Sequence, residues 1–247
     1  MNAEINVIKL VIFANKPVGE ECVNLAINLK KAGKLDIECV VSTSEENSWW
    51  GETRIKDLCD KNEIVYLDSL EKDIEKIALN VSEESWLISV QNSIVFKPMF
   101  LEAFSGRTAN LHLAPLPRFR GWYGPSHAIL QSDKFYGWTI HQMTEKLDVG
   151  AILASGTLEI SPRDTAKSLY ERTESVAITG FQSFLDDLSS DRISMEAMDL
   201  TLSKYYGKSS LEPFRTINLD TTTPEECDRI IRGMYFPPHP MPRLVRN

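Results

Sequence analysis

Between Val7 and Leu113, short apolar, β-branched runs alternate with stretches of helical spacing, and no other feature of the chain narrows its architecture as much. Val7–Phe13 predicts a first buried strand. Glu20–Lys31, with Val23, Leu25, Ala26 and Leu29 at helical spacing, predicts a helix, and Asp36–Val41 a second strand. Ile64–Leu67, Trp86–Val90 and Thr108–Leu113 predict further strands, with helices over Leu70–Leu79 and Pro98–Phe104 between them. Alternation of this kind implies an α/β fold, a doubly wound, mostly parallel sheet with helices on both faces. In such sheets ligands bind outside the carboxyl ends of the strands. Asn110 and His112 stand at that end of the last run.

Beyond Gly121 the pattern changes to a short helix over Pro125–Gln131, strands over Gly137–Met143 and Ala151–Ile160, and a long amphipathic helix opening at Pro162. On that helix Ala166, Leu169, Tyr170, Val176, Ala177, Gly180, Phe181 and Phe184 recur at three and four. Residues after Ser190 are weakly patterned, apart from a helical stretch over Asp228–Tyr235. A boundary near residue 190 therefore divides a main domain, 1–190, from a C-terminal region, 191–247, too short to fold alone.

The residues that carry chemistry are an amide, an imidazole and a carboxylate: Asn110, His112 and, further along, Asp148 before Gly150. Asn offers neutral donors for a developing oxyanion, His moves a proton near neutral pH, and Asp fixes an imidazole's tautomer and charge. Alone, Asn110 also fits a turn cap, His112 a satisfied core histidine, and Asp148 a loop turn. Pro115, Pro117 and Gly121 stiffen the segment after the strand and weigh toward a built site. His127 and His239 read as structural or solvated, and His141 as a residue behind the site, on the face opposite Ile140 and Gln142. The histidines lack metal spacing with carboxylates, so no metal is expected. Cys22, Cys39, Cys59 and Cys227 are scattered and read as small apolar residues. No Gly-x-Ser-x-Gly elbow, no G-x-G-x-x-G and no Walker A run is present. Direct transfer of an activated acyl group to an amine remains.

Asn110-Leu-His112-x-x-x-Leu116-Pro117-x-x-x-Gly121, then Gly137-x-Thr139-x-His141-x-Met143 and Leu147-Asp148-x-Gly150, resembles the folate-dependent formyltransferase family, most closely over residues 89–150. The resemblance implies a Rossmann-like fold that uses N10-formyltetrahydrofolate as co-substrate, with Asn110, His112 and Asp148 on the catalytic positions. It also implies that the pterin is held by two loops, Ser93-Ile94-Val95-Phe96 and Thr144-Glu145-Lys146-Leu147. The turn reads Ala-Pro-Leu-Pro where the family more often has Ser-Leu-Leu-Pro.

The stretch Tyr205-Tyr206-Gly207-Lys208 and the ending Ile230 to Pro238 are similar to the short C-terminal region of nucleotide-sugar N-formyltransferases. That resemblance implies a nucleotide-linked amino-dideoxy sugar as acceptor, in the synthesis of surface-polysaccharide precursors. Trp122 and Tyr123 are candidates to stack on a base or sugar, and Arg118, Arg120, Lys204 and Lys208 to meet a pyrophosphate. The alternatives are another amine (hydroxyornithine, glycinamide ribonucleotide or methionyl-tRNA), a formyltetrahydrofolate hydrolase, or a non-catalytic binder. A net charge of −8 weighs against nucleic acid as partner. No apolar run reaches the ~20 residues that span a bilayer, and the N-terminus has no export pattern, so a cytoplasmic protein is expected. Residues 191–247 are expected to complete the acceptor site or to form a homodimer interface, with Ile230, Ile231, Met234 and Tyr235 as candidates.

Overall fold

The computed structural model describes residues 7–43, 53–69, 81–82 and 84–246. The expected helix over Leu70–Leu79 and the Trp49-Trp50 pair lie outside the described residues. In chain order the elements begin β1 (Ile8–Ala14), α1 (Lys16–Lys31), β2 (Leu35–Ser42), α2 (Ile55–Lys61), β3 (Tyr66–Asp68), β4 (Trp86–Val90), α3 (Pro98–Glu102) and β5 (Thr108–His112). They continue with β6 (Arg120–Gly121), α4 (Gly124–Leu130), β7 (Phe135–His141), β8 (Ile152–Glu159) and α5 (Ala166–Ser189). Last come β9 (Tyr205–Tyr206), β10 (Thr216–Asn218), α6 (Pro224–Met234) and β11 (Arg243–Val245).

The main sheet runs β3-β2-β1-β4-β5-β7-β8, and the pairs β2/β3, β1/β2, β1/β4 and β4/β5 are parallel. This is the doubly wound, mostly parallel sheet that the alternation predicts. Strand order reverses between β1 and β4, where the amide of Asn15 donates to the carbonyl of Val90 at 3.1 Å. Asn15 does not cap α1. Its Oδ1 accepts from Ser42 Oγ (3.1 Å) and from the Thr43 amide (3.0 Å), tying the carboxyl ends of β1 and β2 together. Pro17 in the first turn of α1 fits because its missing N–H would have no helical partner there. A Cβ on Gly19 would press on Ala14, so the glycine lets α1 approach β1 closely.

Two compact units divide the chain. The first comprises residues 1–112, 140–154 and 178–197; the second comprises 113–139, 155–177 and 198–247. The core of the first contains Val11, Phe13, Cys39, Val41, Leu87, Phe100 and Phe104. Central strands bury both faces, which is why β4 reads as an unbroken apolar run instead of alternating. In the second unit one cluster gathers Ala114, Phe119, Ala128, Ile129, Tyr136, Leu169 and Tyr206, and another Leu211, Ile217, Ile230 and Met234.

Three details differ from the sequence reading. Helix α5 buries Ala166, Leu169, Thr173, Ala177, Phe181, Phe184, Leu185 and Leu188, while Val176 is exposed. Val176 falls at the edge of the buried stripe, next to Ala177 at its centre, because each residue advances about 100° around the helix. Helix α6 begins at Pro224 and not near Asp228. Its signal is in the chain: Thr223 Oγ1 accepts from the Glu226 amide at 3.2 Å, with Pro224 and two glutamates in the first turn. The third concerns β9, β10 and β11, which are two or three residues long and too short to show a period. Among the described residues no helix is long and apolar enough to cross a membrane.

Candidate active site

Strand β5 alternates, with Ala109 and Leu111 buried and Asn110 and His112 partly open. Period-two geometry puts Asn110 and His112 on one face, at the carboxyl end of the strand. Two hydrogen bonds tie β5 to the exit of β7: the Met143 amide donates to Thr108 Oγ1 at 2.9 Å, and that hydroxyl donates to the Met143 carbonyl at 3.2 Å. The chain then folds back through a loop in which Asp148 adopts a left-handed conformation (φ 56°), one that Asp tolerates better than most residues. The Gln142 amide donates to the Ala151 carbonyl at 2.8 Å, closing the loop. A Cβ on Gly150 would overlap the Gln142 carbonyl oxygen, so only glycine fits there.

This folding gathers four side chains of the first unit. Asp148 Oδ1 lies 3.9 Å from His112 Nδ1 and 3.7 Å from His141 Nε2. His112 and Asp148 are largely shielded, and His141 is almost fully buried. Asn110 Nδ2 lies 3.1 Å from His141 Nε2. His141 Nδ1 lies 2.9 Å from the Gln142 carbonyl, which can only accept, so Nδ1 carries the hydrogen. Burial, with the neighbouring His112 adding to it and Asp148 opposing, pushes the His141 pKa down to about 4, so the ring is neutral near pH 7. Its Nε2 therefore accepts from one N–H of Asn110. That bond fixes the Asn110 amide plane and leaves its second N–H for a ligand. The sequence reading put His141 behind the site without naming its partner; the pairing of β5 with β7 supplies it.

Both expected cofactor loops belong to the first unit, and residues of the first and the residue preceding the second share one core cluster. Ile94, Phe96 and Met143 pack on the same cluster. Asn92 turns the first loop by accepting from the Ile94 amide at 3.1 Å, and Thr144 Oγ1 turns the second by donating to the Lys146 carbonyl at 2.8 Å. Ser93, Glu145 and Lys146 are exposed, and so are the apolar side chains of Val95 and Leu147. Among the described residues no group of three His, Cys, Asp or Glu side chains is arranged to hold a metal ion. Burial pushes the Cys39 thiol up to about 12 and the Cys59 thiol up to about 11, which makes both poor nucleophiles.

Arg120, Trp122, Tyr123 and Lys204 belong to the second unit. Trp122 is exposed, and Tyr123 packs against the cluster of Leu211, Ile217, Ile230 and Met234. Arg118 is tied to Asp133 at 2.5 Å and lies 4.8 Å over the Phe119 ring, so its charge is already matched. His127 is buried, stacks on Tyr206 with ring centroids 3.8 Å apart, and bonds Ser210 Oγ through Nε2 at 2.8 Å. Burial, helped by Lys204, lowers its pKa to about 4.

A family profile described as formyl transferase matches residues 22–185, two thirds of the chain and all four converging side chains. The chain belongs to the formyl transferase family. Among its relatives, a methionyl-tRNA formyltransferase of Coxiella burnetii is 28% identical over 204 residues, 77% of this chain and 63% of that protein. A GDP-perosamine N-formyltransferase of Brucella melitensis is 29% identical over 154 residues, 62% of this chain and 58% of that protein. The chain thus spans about three fifths of the length of these formyl transferases. In fold it is similar to the N-formyltransferase of Helicobacter canadensis, solved with folinic acid and dTDP-3-aminofucose (TM-score 0.79, 18% identity, 96% of this chain and 84% of that one). It is similar also to a sugar N-formyltransferase of a Shewanella species (TM-score 0.75, 22% identity, 97% of this chain and 93% of that one).

The two lowered imidazoles set a pH dependence for the stability of this chain. A histidine held neutral in the fold but free to protonate when unfolded contributes stability above the unfolded pKa of 6.5 and loses it as pH falls toward about 4. The urea midpoint is expected to hold steady above pH 7 and to drop between pH 6.5 and 4. In His127→Gln the fall between pH 7 and pH 5 should be about half as steep, because one of two protonating sites is gone. An unchanged slope would mean that His127 titrates normally in the fold.

Proposed function

We propose that this chain transfers a formyl group from N10-formyltetrahydrofolate to the amino group of a nucleotide-linked amino sugar. The observation that carries the chemistry is the convergence of Asn110, His112 and Asp148, with one N–H of Asn110 already engaged by neutral His141. The two loops fit a reduced folate, since exposed apolar Val95 and Leu147 stand beside turn backbone that can pair with the amide edge of a pterin. Bound there, the folate supplies the formyl carbon. Ser93 to Phe96 and Thr144 to Leu147 would hold it, largely through backbone groups.

Each residue then has a definite task. The free N–H of Asn110 donates to the carbonyl oxygen as it gains negative charge, and removing such a donor typically costs about 3 kcal/mol. His112 would accept the proton that the attacking amine must lose and return it to N10 of the folate as the bond from the formyl carbon to N10 breaks, so that tetrahydrofolate leaves neutral. The Asp148 carboxylate, close to His112 Nδ1, stabilises the imidazolium that results. His141 does not exchange protons in this scheme; it orients Asn110.

The acceptor rests on different support. The Brucella relative is named for a nucleotide-linked sugar, and the Helicobacter neighbour was solved with one. In this chain Arg120 and Lys208 provide cations and Trp122 an exposed indole, with Tyr123 beside the indole at 6.2 Å. The Coxiella relative favours methionyl-tRNA as a second reading, against which stands the net charge of −8. The test is tetrahydrofolate release from N10-formyltetrahydrofolate, with mass detection of the product, across GDP-, dTDP- and UDP-linked amino sugars. Addition of one formyl group to one of them, lost in His112→Ala, is the expected result. Turnover only with methionyl-tRNA, or formate release with no amine present, would replace this reading.

A further inference from the structure

Arg120 and Trp122 flank Gly121 on a short segment beside β9. The segment pairs with β9: Arg120 aligns with Tyr205, the Arg120 amide donates to the Lys204 carbonyl at 3.0 Å, and the Trp122 amide donates to the Tyr206 carbonyl at 2.9 Å. The guanidinium of Arg120 lies 5.9 Å from the centre of the Tyr205 ring, and Lys208 Nζ lies 4.9 Å from that of Trp122. Tyr205 and Trp122 are each about half exposed (52% and 46%). The result is a stripe of two aromatic faces with a cation at each. Lys204 is spent differently, with its ammonium 5.0 Å over the ring of Tyr206 on the His127 side.

The stripe is fixed from beneath. Tyr206 is sandwiched between Phe119 and His127, and its hydroxyl accepts from Gln131 Nε2 at 2.9 Å. Gly121 has φ +86° and no room for a Cβ against Tyr205 and Tyr206, so the two segments meet at a distance only glycine permits. Lys208 has no ion-pair partner among the described residues, and the stripe stands out in a protein of net charge −8.

We infer that this stripe binds the nucleoside diphosphate of the acceptor, with Lys208 and Trp122 as its principal determinants and Lys204 outside it. The inference rests on the acceptor class proposed above and assigns the residues that recognise it. A half-exposed ring with a cation over one face can take a planar base on the other, and the cation can meet the diphosphate. A strand pair only two residues deep cannot follow a polymer backbone, which favours a mononucleotide over tRNA.

Calorimetric titration of the full chain with GDP, dTDP and UDP, in the absence of folate, tests this. One of them should bind, about tenfold more weakly or worse in Lys208→Glu and in Trp122→Ala. Lys208→Arg and Asp148→Asn should keep the wild-type affinity. Lys208 is exposed, so its variant should fold normally, and thermal melting checks Trp122→Ala. Affinity unchanged in both weakening variants, or methionyl-tRNA binding that depends on Lys208 in place of the nucleotides, would overturn the assignment. Formylation of a nucleotide-linked amine with unchanged KM in Lys208→Glu would overturn the stripe alone and leave the reaction standing. Loss of nucleotide affinity in both variants, without turnover of any nucleotide-linked amine, would keep the stripe and remove the reaction.

Discussion

Asp148→Asn is expected to lower kcat by about two to three orders of magnitude while the protein stays folded. Once His112 has taken a proton, the Asp148 carboxylate lies 3.9 Å from its Nδ1, an opposite charge at close range. A full ion pair at that range is worth up to about 4 kcal/mol at an effective dielectric of ~20, and a neutral amide forfeits most of it. Because ground-state binding uses none of this energy, KM should change little. The fold should survive because Asn is as much at home as Asp at the left-handed φ of residue 148. Steady-state kinetics beside a melting curve decide the matter: full turnover, or a collapsed melting transition, would remove Asp148 from the catalytic set.

Gly150→Ala is expected to damage fold and activity together, through one carbonyl. The added methyl would meet the Gln142 carbonyl oxygen and crowd the Thr144 methyl group. Forcing such an overlap typically costs about 3 kcal/mol, or a fall in Tm on the order of 10 °C for a chain of this length. The same Gln142 oxygen accepts the Nδ1 hydrogen of His141, and His141 in turn holds the Asn110 amide. A displaced carbonyl therefore reaches the oxyanion donor in two steps. A variant that melts at the wild-type temperature would show that the loop has slack the close approach does not suggest. One that melts lower but turns over normally would cut the link to Asn110.

Much of the architecture was legible because it follows from short-range rules. β4 runs over the residues its apolar composition marks, Trp86–Val90, and β5 carries Asn110 and His112 at the end where α/β sheets bind ligands. His141 was legible as a residue behind the site, but its bond to Asn110 depends on β5 and β7 being sheet neighbours, and no local pattern states a pairing. The β6/β9 ribbon was harder still. Arg120–Gly121 and Tyr205–Tyr206 are two residues each and far apart in the chain, so neither has a period and nothing local links them. Arg118 looked equivalent to Arg120 in the sequence; only the fold shows that Asp133 already answers its charge. The start of α6 was missed although Thr223-Pro224-Glu225-Glu226 announces it, since the apolar stretch further on drew the boundary instead.

Backbone groups tie the β6/β9 ribbon, the Arg120 and Trp122 amides donating to the Lys204 and Tyr206 carbonyls. The side chains of Tyr205 and Lys208 take no part in those two hydrogen bonds, so their exchange should leave the pairing in place. They also lie outside the matched stretch 22–185, whereas the catalytic strand lies within it. On the proposed reading, substitution at positions 205 and 208 changes acceptor preference without disturbing the strand pairing. A library randomised at positions 205 and 208, screened with nucleotide-linked amino sugars, tests that separation directly.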